Sequence, residues 1–401
     1  MTNIKSKIPK IRFKEFEWEW EEKKLWEIFQ INAWWDIDNN HVSNIKTNVF
    51  KYPIFANAEK NKWFYWYSDI YKIDEGILTV AWRGVNLWIA HARNEKFYPI
   101  VRLLTLKPKI KSDVHFFEYQ INNLNFFIES TWVPQLTWPQ ISIYKTFFPS
   151  LPEQQKIALF LSNVDEKIEK IKEKKKSLEE YKKWVMQKIF GVGNENIRSL
   201  RFKDENWEEF GEWEEKKLGE ICKLQWWFSF KSTEFKKSWI PIIRISNISN
   251  NNNYIDLSNI IYYNEIKNDE NYIIQNWDLI IAMSWATTWK SSIYNLKEKA
   301  YLNQRVWSFK ANLNKLNYWF LIQFVFSDLF YKQLDWVLVA GAQPNISWKD
   351  IENFILNLPT LKEQQKIADF LSWIDEKIEK VGEELGKMEE FKRGLLQGIF
   401  V

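Results

Sequence analysis

The sequence predicts an α+β chain built as a tandem repeat with pseudo-two-fold symmetry. Two dissimilar domains are each followed by a long helix, and the two helices pair as an antiparallel coiled coil. Three observations predict this. Residues 149–170 read PSLPEQQKIALFLSNVDEKIEK and residues 359–380 read PTLKEQQKIADFLSWIDEKIEK. Upstream of each copy stands the same hexapeptide, WEEKKL, at 20–25 and again at 213–218. Between the two motifs, residues 29–148 and 222–358 show little similarity to each other, and the second stretch is the longer. Repeated segments do one job twice; the dissimilar middles face different targets. The expected boundaries are a first domain at 1–150, a first helix at 151–191, a second domain at 192–360 and a second helix at 361–401.

The helices follow from spacing. In the first, Ile157, Leu161, Val164, Ile168 and Ile171 are set four and three apart, a heptad seam continued by Leu178, Val185 and Ile189. Lys175 and Lys182 interrupt it, with Tyr181 filling in. The second seam is cleaner, with Ile367, Leu371, Ile374, Ile378 and Val381 followed by Leu385, Met388, Leu395 and Ile399, and Lys392 as the exception. Each helix is about 55–60 Å long at about 1.5 Å per residue, and neither can bury its stripe alone. The seams match in length and register, and the second domain is long enough to reverse the chain, so pairing within one chain is expected. A dimerisation coiled coil between two chains is the alternative. A rod with a domain at each end is a ruler, the device by which DNA-reading dimers space their half-sites.

Composition limits the function classes. The 401 residues are 46% hydrophobic and 27% charged, with a net charge of only +4, so any basic surface must be locally arranged. One cysteine, Cys222, allows no disulfide within a chain and reads as a small apolar filler. The polar start, 1–10, lacks the apolar core of a signal peptide, and no apolar run reaches the ~18 residues of a membrane span; a reducing, cytoplasmic setting is the expectation. The three histidines, His41, His91 and His115, are scattered, no Cys/His metal cluster is present, and no GxGxxG or Asn-Pro-Pro-Tyr motif occurs. No catalytic residue, metal or cofactor is therefore expected. Trp285 to Ser291 would suggest a phosphate-binding loop if Trp285 and Trp289 were glycines, but the spacing is one residue short of that motif.

The segments 9–28 (PKIRFKEFEWEWEEKKLWEI), 151–171 and 361–381 together resemble the specificity subunits of type I restriction–modification enzymes, and the resemblance covers essentially the whole chain. It implies that each middle is an α/β target recognition domain reading a few base pairs of double-stranded DNA. It also implies that the helices set the spacer and dock two methyltransferase (modification) subunits, and that restriction (translocase/nuclease) subunits join through the complex. Methyl transfer and cleavage would belong to those partners. A coiled-coil scaffold with two non-DNA ligand-binding domains is the competing reading; bipartite binding in a gel shift with the methyltransferase partner separates the two.

Candidate DNA-reading residues follow from chemistry. The stretch 79–93 reads as strand–loop–strand and carries Arg83, Asn86, His91 and Arg93; Arg grips guanine O6/N7 and Asn grips adenine N6/N7. Its counterpart at 278–294 offers Ser284, Thr287, Thr288 and Lys290, suited to phosphates and base edges. Arg305 joins them, and polar Pro motifs add Gln135 and Thr137 in the first domain and Gln343 and Asn345 in the second. The target bases and the spacer length are not encoded in any readable pattern.

One count is abnormal. There are 25 Trp and 11 Gly, where glycine alone averages about 7%. Aligning the repeats sets Trp18 against Gly211, Trp26 against Gly219 and Trp184 against Gly394, whereas Trp20 meets Trp213. Other tryptophans, as in Asn276-Trp277-Asp278, stand where turns want glycine. Two explanations are open: UGA codons that mean glycine in the source and were read as tryptophan, or true substitutions.

Overall fold

The structure, a computed structural model, describes residues 8–57, 61–82, 88–101, 103–124, 141–191, 200–225, 228–248, 253–267, 269–283, 290–340 and 347–400. The chain divides into two compact units, Met1–Lys172 with Glu383–Val401, and Glu173–Gly382.

In the first unit the EEKK of the hexapeptide is strand β1 (Glu21–Lys24), which leads through a single helical turn, α1 (Leu25–Ile28), into β2 (Phe29–Ala33). There follow β3 (Val42–Ser43), β4 (Tyr52–Phe55), β5 (Phe64–Ser68), β6 (Ile77–Ala81), β7 (Ala90–Arg93), β8 (Tyr98–Pro99), β9 (Leu103–Pro108), α2 (Val114–Asn122), β10 (Lys145–Phe148) and the long helix α3 (Leu151–Phe190). One antiparallel sheet runs β2-β9-β6-β7; another runs β3-β5-β4-β8, with β4 and β8 parallel; β1 and β10 form a separate ribbon. Strand β6, ILTVA, is buried at every residue, because Leu78 and Val80 pack toward Phe116 and Phe117 of α2 while Ala81 packs with Phe55 and Phe97. A strand covered on both faces needs an unbroken apolar run, and the sequence supplies one.

The second unit holds β11 (Glu214–Lys217), β12 (Cys222–Gln225), β13 (Ile240–Ile243), β14 (Ile261–Tyr263), β15 (Ile273–Ile274), β16 (Leu279–Ala282), β17 (Ser291–Ile293), β18 (Ala300–Leu302), β19 (Val306–Ala311), α4 (Tyr318–Val325), α5 (Asp328–Ala340), α6 (Trp348–Glu352), β20 (Ile355–Leu358) and α7 (Leu361–Ile399). Its sheet β12-β19-β16-β17 repeats the order β2-β9-β6-β7, and the ribbon β11–β20 repeats β1–β10. The triple β14-β13-β18, antiparallel then parallel, repeats β5-β4-β8; only the outer strands differ. The middles that share little sequence thus share a topology. Cys222 is buried, and burial pushes its thiol up to about 12, which makes it inert at neutral pH.

Each unit contains a stretch of α3 beside a stretch of α7, and the pairing is antiparallel: Asp165 meets Lys392 and Lys172 meets Glu389 in the first unit, while Lys182 meets Asp375 in the second. The seam is not helix against helix alone. Ile157, Leu161, Val164 and Ile168 share a cluster with Leu395 and Ile399 of α7 but also with Trp20, Phe116 and Phe117 of the domain. Ile367, Leu371 and Ile374 pack with Val185 and Ile189 but also with Phe320 and Phe324 of α4. Ile171 and Val381 are buried, and Ile378 lies half-buried at the edge of its cluster. The heptad pattern therefore records two contacts at once, with the partner helix and with the domain the helix follows.

The two seam lysines mark equivalent positions. Lys182 Nζ reaches Asp375 Oδ1 and Oδ2 at 2.6 and 2.7 Å, and Gln323 Nε2 donates to the same carboxylate at 2.9 Å. In the first unit Lys392 Nζ lies 2.6 Å from Asp165 Oδ1, and Tyr119 Oη donates to Asp165 Oδ2 at 2.8 Å. Each pair ties a helix to its partner and to its domain. A polar group at a seam position fixes register.

Candidate nucleic-acid interface

The recurring Glu-Gln-Gln of the helix starts proves to be a clamp. Glu153 is buried; Arg12 Nε and Nη2 donate to its two oxygens at 2.7 and 2.9 Å, and Trp20 Nε1 donates at 3.1 Å. Glu363 repeats this with Arg201, at 3.2 and 2.9 Å, and Trp213 Nε1 at 2.9 Å. Gln154 Nε2 donates to the Pro149 carbonyl, and its Oε1 accepts from Asp113 N, the residue capping α2. Gln364 does the same with Pro359 and with Asn317, which caps α4. These motifs hold domain to helix.

Basic side chains among the described residues gather at the strand ends and on the outer sheet. In the second unit, Ala282 N donates to the Lys290 carbonyl and Met283 N to the Arg305 carbonyl, at 2.9 and 2.8 Å. Lys290 and Arg305 are thereby brought together where β16 ends; Arg305 is exposed. In the first unit the equivalent strand end is Ala81, whose N and O pair with Ile89 and Trp88. Arg83, Asn86, Gln135, Thr137, Ser284, Thr287, Thr288, Gln343 and Asn345 lie outside the described residues.

Two expected base readers are otherwise employed. Arg93 is buried: its Nε donates to Thr79 Oγ1 at 2.9 Å, its Nη2 to the Lys62 carbonyl at 2.8 Å, and its guanidinium lies 3.6 Å from the Phe55 ring centre. Burial lowers its pKa to about 10. It pairs with Ile77 at the end of the β6–β7 ladder remote from the hairpin loop. His91 is turned inward against Trp63 and contacts Glu118 at 3.3 Å. Burial alone would raise the Glu118 carboxyl, but hydrogen bonds from His115 and His91 outweigh it and hold the group at about 2. The hydrogen bond to Glu118 in turn raises His115. As placed, Arg93 and His91 are engaged by contacts within the domain.

A feature that the sequence reading missed lies on and beside the sheet β3-β5-β4-β8. Four exposed lysines each stand over an aromatic ring: Lys46 over Tyr67 (5.8 Å), Lys51 over Tyr52 (5.2 Å), Lys72 over Tyr98 (4.9 Å) and Lys96 over Tyr71 (4.6 Å). Tyr65 and Trp66 beside them are stacked and exposed. Cation–ring contact holds an ammonium in place without neutralising it. The signal was present as interleaved Lys and Tyr in KYP, YKIDE and EKFYP. Lys96 also lies 3.7 Å from Asp74 Oδ1; in the second unit Lys299 is held by two carboxylates, Glu265 and Asp269. Among the described residues no cluster of His, Cys, Asp and Glu is placed to hold a metal ion, and no helix is long and apolar enough to cross a membrane.

Comparison with known proteins agrees with this architecture. The family model for the type I restriction modification DNA specificity domain matches residues 17–180 and again 211–386. The type I restriction enzyme MjaVIII specificity subunit of Methanocaldococcus jannaschii is 28% identical, over 81% of this chain and 78% of its own. The S subunit of the type I restriction–modification system of M. genitalium has the same fold, with a TM-score of 0.63 at 14% identity over 98% of this chain and 99% of that one. A chain from a structure addressing assembly and conformational transition of the type I system gives 0.56 at 14% identity, covering 96% and 98%. The chain belongs to the type I restriction modification DNA specificity family, carries that domain twice, and is a specificity subunit of a type I restriction–modification system.

Proposed function

We propose that each unit of this chain reads one half of a bipartite DNA target, that the paired helices set the distance between the halves, and that the chain itself performs no chemistry. The observation that carries this is the repeat of identical clamps, Glu153 with Arg12 and Trp20 and Glu363 with Arg201 and Trp213, under recognition sheets of the same topology but different surface. A scaffold used twice with unlike faces delivers two specificities at a fixed separation. In the first unit Lys46, Lys51, Lys72 and Lys96 contact phosphates, while Arg83 and Asn86, between β6 and β7, read bases. In the second, Lys290 and Arg305 flank the residues that read bases, Ser284, Thr287 and Thr288; Gln135, Thr137, Gln343 and Asn345 complete the two sets. Exposed faces of α3 and α7 dock two methyltransferase subunits, through which restriction subunits join.

The test is a domain exchange. Residues 29–148 are replaced by the equivalent segment of a relative with a known target, and the complex is assayed for methylation. One half-site should change and the other should stay. A change in both, or in neither, refutes modular reading.

A further inference from the structure

The backbone distinguishes tryptophans that belong in this fold from those that do not. Among the described residues, seven that are not glycine have φ in the left-handed region, and five of them are tryptophan: Trp63 (71°), Trp88 (74°), Trp207 (65°), Trp239 (108°) and Trp277 (73°). Tryptophan fills 25 of 401 positions, so chance does not place it in five of seven such sites. An L-residue with a bulky side chain is an outlier there, because its Cβ crowds the neighbouring carbonyl, whereas glycine has no Cβ to crowd.

Each site is a turn of the kind that selects glycine. Trp88 N donates to the Ala81 carbonyl at 2.9 Å and closes the β6–β7 hairpin. Trp207 follows Asn206 in a turn in which Asp204 Oδ1 accepts from Asn206 N and Glu208 N at 2.8 and 2.9 Å. Trp277 follows Asn276 in the turn where Gln275 N donates to Asp278 Oδ2 at 2.8 Å. Trp63 lies on the connection from β4 to β5, where its carbonyl accepts from Ala56 N at 3.0 Å. Trp239 directly precedes β13 and is exposed. Trp207 is exposed as well and Trp277 is partly so, its indole lying against Trp319; Trp207 has no packing gain to offset the backbone strain.

Trp20 and Trp213 differ in backbone and in bonding. Trp63 and Trp88 are buried as they are, but Trp20 and Trp213 lack positive φ, and both donate an indole N–H to the clamp glutamate, at 3.1 and 2.9 Å. Glycine cannot make that hydrogen bond.

We infer that the native chain carries glycine at positions 63, 88, 207, 239 and 277 and tryptophan at 20 and 213. A codon read as glycine in the source cell and as tryptophan elsewhere accounts for the first set, and the ordinary tryptophan codon for the second. The repeat supports this independently, since Trp18, Trp26 and Trp184 stand where the other copy has Gly211, Gly219 and Gly394. At Gly219 even a Cβ would come within 2.8 Å of Glu352 Cβ.

The experiment is peptide sequencing by tandem mass spectrometry on the full chain isolated from its source cells. The expected result is glycine at all five positive-φ positions and tryptophan at 20 and 213. Tryptophan at any of the five overturns the inference, and so does glycine at 20 or 213, because the backbone would then not distinguish the two kinds of site.

Discussion

Replacing Glu363 by glutamine isolates the charge of one clamp without opening a cavity. The carboxylate is fully buried, and its partner Arg201 keeps 23% of its side chain exposed. Removing one member of a buried ion pair costs roughly 3–5 kcal/mol. Arg201 also donates to the carbonyls of Phe210 and Gly211, at 3.0 and 2.7 Å, so carbonyls and solvent take up part of the orphaned charge. The glutamine oxygen still accepts from Trp213. These partial compensations bring the cost to about 2 kcal/mol, close to thirty-fold in an opening equilibrium at about 1.4 kcal/mol per factor of ten. Hydrogen–deuterium exchange on the intact chain reads it locally. Amides of β11 and β20 should exchange about thirty-fold faster in Glu363→Gln, while those of β1 and β10, held by Glu153, keep their protection. Unchanged exchange in β11 and β20, or equal acceleration in both ribbons, would refute the view that each clamp serves its own unit.

Three further outcomes follow from the same contacts. Lys72→Ala and Lys96→Ala should each weaken cognate and non-cognate DNA alike and flatten the plot of log affinity against log salt by about one unit, measured by titration at several salt concentrations; a change in base preference would show that these lysines read sequence. Trp207→Gly should stabilise the chain by roughly 0.5–1 kcal/mol, since relief of about 1–2 kcal/mol of left-handed strain exceeds the entropic cost of glycine; a lower melting temperature would contradict it. The Glu118 carboxyl sits at about 2 against an ordinary value of 4.5, so its contribution is present above pH 4.5 and is lost as pH falls toward 2. Glu118→Gln should flatten acid unfolding of the first unit across that window, as followed by Trp fluorescence, and identical acid profiles would remove the carboxylate from the account.

Much of the fold was legible because the repeat exposes it. The seams of α3 and α7 and their antiparallel pairing follow from spacing and copy number. The seam exceptions Lys182 and Lys392 were visible as exceptions, but their meaning was not, since their partners Asp375 and Asp165 are far along the chain. The Glu-Gln-Gln motif was equally conspicuous and equally silent: its function depends on Arg12, Trp20, Asp113 and Pro149, which only the tertiary structure assembles. Arg93 is buried where its charge suggested solvent. Alternation along β7 puts Arg93 and His91 on one face, and that face is turned inward toward Thr79. The lysine–tyrosine surface escaped notice because its members come from separate strands and loops and are joined only by the sheet.

The most direct test of the central claim is a map of methylated sites made by the complex before and after residues 173–179 and 379–385 are removed together. This deletion takes one heptad from each helix and spares Lys182–Asp375 and Asp165–Lys392. Each helix shortens by about 10 Å at about 1.5 Å per residue, which corresponds to roughly three base pairs at about 3.4 Å each. Two unchanged half-sites separated by a spacer shorter by that amount are expected. A spacer that keeps its length, or half-sites that change, would contradict the claim.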